Sequence, residues 1–174
     1  MRPEILISEN NYFNLVEPQV SIFTIEDIAN SLSKLCRFNG HTKSFYSVAQ
    51  HSVEVSLLVP EEYALQGLLH DSAEAFLGDV CSPLKQLLPD YKAIEKKVET
   101  AVFEKFGFST LHKSVKEADL TMLLTEQRDL MPMHSDPWTV EKMDLNPLDR
   151  KIIGLDHSQA KKLFLDRFLE ITKT

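Results

Sequence analysis

Cysteine is scarce in this chain: two residues, Cys36 and Cys81, among 174. Two thiols make no disulfide framework, and both read as small buried hydrophobes. There is no window approaching the ~18 apolar residues of a membrane span, and the opening Met1–Leu6 has no long apolar stretch of the secretory kind. A soluble protein of a reducing cytoplasm is the expectation, with no membrane partner. Excess positive charge is also missing. Nineteen Lys and Arg stand against 26 Asp and Glu, a formal net charge of −7. Binding of bulk nucleic acid needs a basic stripe and is excluded on that ground. A compact anion held by a few local cations passes the same filter.

What is present is ordinary globular material, 43% hydrophobic and 26% charged, enough for one domain with its own core over residues 1–174. Ile5–Ile7 and Tyr12–Val16 flank an Asn-rich turn and predict a short hairpin. Thr24, with Asp27 three residues on, predicts a capped helix start. The apolar spacing of Ile25, Ile28, Ala29, Leu32 and Leu35 carries that helix toward Arg37–Gly40. Further helices are predicted over Ser47–Val59, Glu61 to about Gly78, Tyr91–Phe106, Ser114–Met131 and Ser158–Thr172. A helical turn opens at Pro83, and a long surface loop covers Pro132–Asn146. The class is all-α, a single-domain helical bundle with a short N-terminal hairpin.

His70–Asp71 interrupts an apolar helical run. An imidazole and a carboxylate beside a buried face are costly unless they are paired or bind a metal. Successive helix positions lie about 100° apart, so partners from neighbouring helices are needed. His51 and Asp119, each in or next to a hydrophobic stretch, are the candidates. Two His and two Asp form a nitrogen–oxygen set suited to one divalent ion: Mn, Co, Fe, Ni, Zn or Mg. Any one of these residues alone usually reads as structural or solvated; the combination carries the signal.

The order His51, His70–Asp71, Asp119 resembles the HD-domain metal-dependent phosphohydrolase superfamily, and within it the small 5′-deoxynucleotidase-like and phage dATP triphosphohydrolase-like proteins. Supporting strings are Cys36–His41, Phe45–Ser52, Gly67–Ala75, Gly78–Lys85, Tyr91–Glu95 and Lys116–Asp119, so the likeness covers roughly residues 25–131. It implies a metal held by His51, His70, Asp71 and Asp119, with Glu74 beside the attacking water. Asp79, counted with Glu74 at the catalytic edge, matches an aspartate that contacts the sugar. It also implies Arg37 and Lys85 near a substrate phosphate, and Phe38 in place of a bulky aromatic, tryptophan in the deoxynucleotidases, that reads the sugar. A nucleotide substrate and a homo-oligomer follow from the same likeness.

Plainer readings stand beside these. Asp79 suits a turn after Gly78, and Arg37 suits a cation at a helix C-terminus. Glu74 suits an exposed helix face, one turn after His70. Glu126 lies on roughly the Asp119 face and reads as part of an ion-pair network with Arg128 and Asp129. Trp138 suits a lid, a packing anchor or a subunit contact. Leu163, Phe164 and Phe168 suit a subunit contact or the core. His41, in a loop, reads as solvated; His112, His134 and His157 fit no ligand pattern. The expected activity is hydrolysis at the α-phosphate of nucleotides, as a 5′-(deoxy)nucleotidase. A dNTP triphosphohydrolase is the enzyme alternative, and a non-catalytic nucleotide sensor the alternative of another class.

Overall fold

A computed structural model describes residues 2–135, 138 and 144–173. It is mostly helical, with one short hairpin at the N-terminus. Strands β1 (Glu4–Ser8) and β2 (Asn11–Asn14) pair antiparallel, Ile5 opposite Phe13. Asn10 takes the left-handed turn position, at φ 55°, a conformation Asn tolerates better than most residues. The hairpin is pinned by Phe13, whose ring stacks on Phe76 at 3.8 Å and meets Phe23 edge-on at 5.5 Å.

Helix α1 (Ile25–Leu32) begins with the expected capping box: the Thr24 hydroxyl accepts from the Asp27 N–H, and the Asp27 carboxylate accepts from the Thr24 N–H. It ends at Leu32 and does not continue through Leu35. Beyond it the chain runs extended against residues 46–48. Cys36 bridges Ser47, the Arg37 N–H donates to the Tyr46 carbonyl, and the Val48 N–H donates to the Leu35 carbonyl. Arg37 is therefore not a helix-end cation but a residue fixed at the mouth of the next helix.

That helix, α2 (Val48–Leu58), starts at an N-cap Ser47 and is buried around most of its circumference, including Gln50, His51, Ser52 and Ser56. Helix α3 (Ala64–Leu69) lies so close to it that a Cβ on Gly67 would stand 3.0 Å from the Ser56 Cα. Any larger residue would force the two helices apart by a few tenths of an ångström, and α3 delivers His70.

The single helix expected from Glu61 to Gly78 is broken. Residues Glu61–Tyr63 form a 3₁₀ turn after Pro60, and α3 stops before His70; α4 (Glu74–Leu77) follows after a separate turn and ends at Gly78, φ 80°. Side chains explain the break. His70 Nδ1 takes the Gly67 carbonyl at 2.8 Å, and the Ser72 hydroxyl takes the Leu69 carbonyl at 2.5 Å. Those carbonyls would otherwise accept the next α-helical bonds. The backbone tightens to i→i+3 bonding from Ser72 to Phe76. His70, Asp71 and Glu74 thus share a compact turn, not one face of a continuous helix.

The remaining helices are α5 (Ser82–Lys85), α6 (Pro89–Lys105), α7 (Lys113–Leu130) and α8 (His157–Thr172). Their bounds fall within two residues of expectation where expectation gave any. Of the loop expected over Pro132–Asn146, the described residues 132–135, 138 and 144–146 lie in no helix or strand, and the rest of it lies outside the described residues. Two apolar clusters flank α2. One joins Phe13, Ile28, Leu32, Val53, Leu68, Leu69, Phe76 and Phe164; the other joins Tyr46, Val55, Val115, Met122 and Ile152. Phe164 is fully buried and Phe168 packs on the same core, so neither is an exposed subunit surface. Cys36 and Cys81 are free and only half-buried. Among the described residues, no helix is long and apolar enough to cross a membrane.

Candidate metal centre

Helices α2 and α7 and the turn after α3 each bring a ligand-type side chain to one point between the apolar clusters. His51 comes from the second turn of α2, fully buried. His70 follows α3, and Asp119 sits in the second turn of α7. One donor atom of each lies within 4.8 Å of the others. His51 Nε2 is 3.3 Å from His70 Nε2 and 3.4 Å from Asp119 Oδ1. Asp71 joins them, its Oδ2 lying 3.2 Å from His70 Nε2 and 3.6 Å from His51 Nε2.

Orientation decides what these atoms are. The Nδ1 of His51 is bonded to Glu126 Oε1 at 2.6 Å, and that of His70 to the Gly67 carbonyl at 2.8 Å. Both partners are acceptors, so each ring carries a hydrogen on Nδ1 and directs Nε2 inward. Asp119 presents Oδ1 while Lys116 holds its Oδ2 from outside at 2.8 Å. Two imidazole lone pairs and two carboxylate oxygens then converge with no donor between them. Such a group repels itself unless a proton or a cation sits inside. Ligand atoms on one first-row ion, with bonds near 2.1 Å, are separated by about 3.0 Å in octahedral and 3.4 Å in tetrahedral geometry. The 3.3 and 3.4 Å separations of His51 Nε2 from His70 Nε2 and from Asp119 Oδ1 match that spacing, so the His51/His70/Asp119 group fits a divalent ion, with Asp71 beside it.

The electrostatics agree. Burial and Arg37 press His51 toward its neutral form, yet Glu126 and Asp119 outweigh them and lift its pKa to about 9. Burial would raise Asp71, but His70 and His51 hold it well below the usual carboxylate range. Asp119 is lowered likewise: bonding to His51 and the charges of both His residues overcome its burial. In the absence of an ion the centre draws a proton to His51, as a cation hole does.

Glu126 is the residue that sequence reasoning misplaced. It is fully buried and belongs to the centre, not to a network with Arg128 and Asp129. Its Oε1 accepts from His51 and from the Tyr46 hydroxyl at 2.9 Å; its Oε2 accepts from Arg37 Nε and Nη2 at 3.1 and 3.0 Å. Arg37 Nη1 lies 3.5 Å from Asp71. Burial would raise Glu126, but Arg37 and His51 hold it down. The available signal was its position seven residues after Asp119, two turns along one face. Arg128 and Asp129 pair with each other instead, and Arg128 also bonds the Leu148 and Arg150 carbonyls.

The other expected site residues form an adjoining wall. Glu74 is buried, not exposed, and its N–H bonds the Asp71 carbonyl at 3.0 Å. Its Oε2 has no partner among the described residues, while Oε1 lies 3.8 Å from Lys85 Nζ. Burial, then Asp71 and Asp79, push Glu74 well above the ordinary range, and burial raises Asp79 also. Lys85 is paired with Glu95 at 2.5 Å and lies over the Tyr91 ring at 5.9 Å, so its charge is largely answered within the chain. Phe38 stands at the rim, its ring 5.2 Å from the Arg37 guanidinium and 5.9 Å from Trp138. Phe38 and Asn39 are both left-handed, at φ 54° and 51°. An aromatic residue there is strained by about 1–3 kcal/mol, a cost characteristic of functional sites. His112 caps α7, and its ring stacks on Tyr63.

Fold and site together define a helical protein with a largely buried His/His/Asp group able to hold a metal ion. No protein-family model matches the chain. It is 44% identical over 150 residues to the uncharacterized protein YfdR of Escherichia coli, covering 86% of this chain and 84% of that protein. The chain belongs to the YfdR family. An uncharacterized protein of Rhodobacter capsulatus is 33% identical over 121 residues, 61% of this chain and 62% of that one. Neither relative's name carries an activity.

Proposed function

We propose that this protein is an HD-domain metal-dependent phosphohydrolase acting at the α-phosphate of nucleotides, as a 5′-(deoxy)nucleotidase that releases nucleoside and inorganic phosphate. The observation carrying this reading is the convergence of His51 Nε2, His70 Nε2, Asp119 Oδ1 and Asp71 Oδ2 on one point. A buried carboxylate with an unpartnered oxygen, Glu74, lies one turn beyond. The order His51, His70–Asp71, Asp119, which resembles the HD superfamily, adds its weight.

A divalent ion held by the four residues would supply Lewis-acid polarisation of a phosphate oxygen and acidify water for attack. Glu74 takes the proton from the attacking water, and burial with Asp71 and Asp79 nearby raises its affinity for that proton. The bond between phosphorus and the ester 5′-oxygen breaks, and the proton passes to that oxygen, giving nucleoside and phosphate. Arg37 offers its Nη1 edge to the phosphate, since Nε and Nη2 are committed to Glu126. Lys85 tempers the negative charge of Glu74 from behind. Phe38 and Asp79 flank the sugar, and a phenylalanine in place of tryptophan relaxes strict selection for deoxyribose.

The test is a product screen on metal-stripped protein, crossing Mg, Mn, Co and Zn with ribo- and deoxynucleoside mono- and triphosphates and separating products by chromatography. Metal-dependent nucleoside and phosphate from a monophosphate is the expected result. Triphosphate released from dATP would replace it with a triphosphohydrolase. Tight nucleotide binding without product would make the protein a sensor.

A further inference from the structure

Glu126 joins two groups that the proposed mechanism uses separately. Its carboxylate has about four acceptor positions, and all are occupied. His51 and Tyr46 bind Oε1, while the Arg37 Nε and Nη2 bind Oε2. The carboxylate is completely excluded from solvent, as is the His51 side chain, and Arg37 is only 11% exposed. A buried charge in such a triad is strongly tied to its partners, because removing one leaves another uncompensated.

We propose that Glu126 is a positioning residue that couples the metal ligand His51 to the anion-facing Arg37, so that the two binding functions depend on one another. This rests on the metal-centre reading above. Bonding from Nδ1 to a carboxylate fixes the His51 tautomer and makes Nε2 a stronger donor. Arg37 cancels the charge of Glu126, and that cancellation sets how much negative charge His51 feels. The same two bonds fix the orientation of the guanidinium and leave Nη1 beside Asp71 at 3.5 Å. A change at Arg37 therefore reaches the metal through Glu126, and a change at Glu126 reaches the anion through Arg37. Such coupling is reciprocal.

The experiment is a double-substitution cycle on the full chain, read by the visible spectrum of bound Co(II) and by binding of inorganic phosphate to metal-free protein. Glu126→Gln should weaken Co(II) binding 10–100-fold and shift its absorption bands. It should also weaken phosphate binding, although the side chain at this position touches no phosphate in this reading. Arg37→Lys should shift Co(II) affinity and spectrum with no anion present, and that effect should vanish in the Glu126→Gln background. Glu126→Asp, which keeps the charge but shortens its reach, takes the same place in the cycle should Glu126→Gln fail to fold. A folded Glu126 variant with unchanged Co(II) affinity and spectrum overturns the proposal. So does an Arg37→Lys effect of equal size in both backgrounds. Wild-type protein that binds no Co(II) overturns the metal centre itself, and this coupling with it.

Discussion

His51 Nε2 and His70 Nε2 face each other at 3.3 Å, and with both rings neutral neither nitrogen has a hydrogen to offer the other. Their Nδ1 atoms are spent on Glu126 and on the Gly67 carbonyl. Two acceptors held this way are stable only around a shared positive charge, and the rest of the site is arranged about that requirement.

Removing a ligand should therefore remove both the ion and the activity. His70→Ala and Asp71→Ala are each expected to strip the protein of nearly all bound Mn or Co and to abolish turnover of a nucleoside monophosphate. Metal analysis after gel filtration checks the first and product chromatography the second. Either variant retaining full metal and full activity would sink the ligand assignment.

Glu74→Gln separates chemistry from metal binding. The residue contributes no donor atom to the tight group, so metal content should remain, while kcat should fall by about 10²–10⁴, the usual worth of a general base. KM should change much less. Steady-state kinetics on the metal-loaded variant decide this, and an unaltered kcat would remove Glu74 from the proton transfer.

Without metal, stability should depend on pH through His51. Its folded pKa, about 9, lies above the ordinary value of 6.5. The folded state then binds the extra proton, so this stabilisation is complete below pH 6.5 and is lost as pH rises through 9. The Tm of metal-stripped protein should fall over that window. Metal displaces the proton, so the metal-loaded protein should show a flatter profile. Thermal melts in matched buffers spanning that window, with and without Mn, test both statements.

Much of this was legible in the sequence. Thr24 with Asp27, and the helical turn opening at Pro83, are local signals that the fold obeys. His51, His70 and Asp119, the three positions the structure groups as able to hold a metal ion, were legible because polar residues in or beside apolar runs are conspicuous. The break after Leu69 was not. It arises from two side chains, His70 and Ser72, capturing backbone carbonyls, and apolar spacing continues undisturbed across it. Glu126 was misassigned for a related reason: Arg128 and Asp129 stand close to it in sequence. Its partners Arg37, Tyr46 and His51 are 75 or more residues away and meet it only once α2 and α7 pack.

Gly67 links packing to the site. A Cβ there meets the Ser56 Cα at 3.0 Å, its nitrogen at 3.2 Å and Val59 Cγ2 at 3.2 Å. Gly67→Ala should push α3 away from α2 and cost about 1–3 kcal/mol. The shift carries the carbonyl that orients His70, so metal affinity should fall alongside stability. Denaturant unfolding and metal titration of the one variant measure both; lost stability with unchanged affinity would uncouple the helix contact from the centre.

The most direct test is a crystal structure of protein grown with Mn, with data collected above and below the Mn absorption edge. One anomalous peak is expected, bonded to His51 Nε2, His70 Nε2, Asp119 Oδ1 and Asp71 Oδ2 at about 2.1–2.2 Å. A Mn peak elsewhere, or a centre still closed by direct contacts among these four side chains at saturating Mn, would contradict the account.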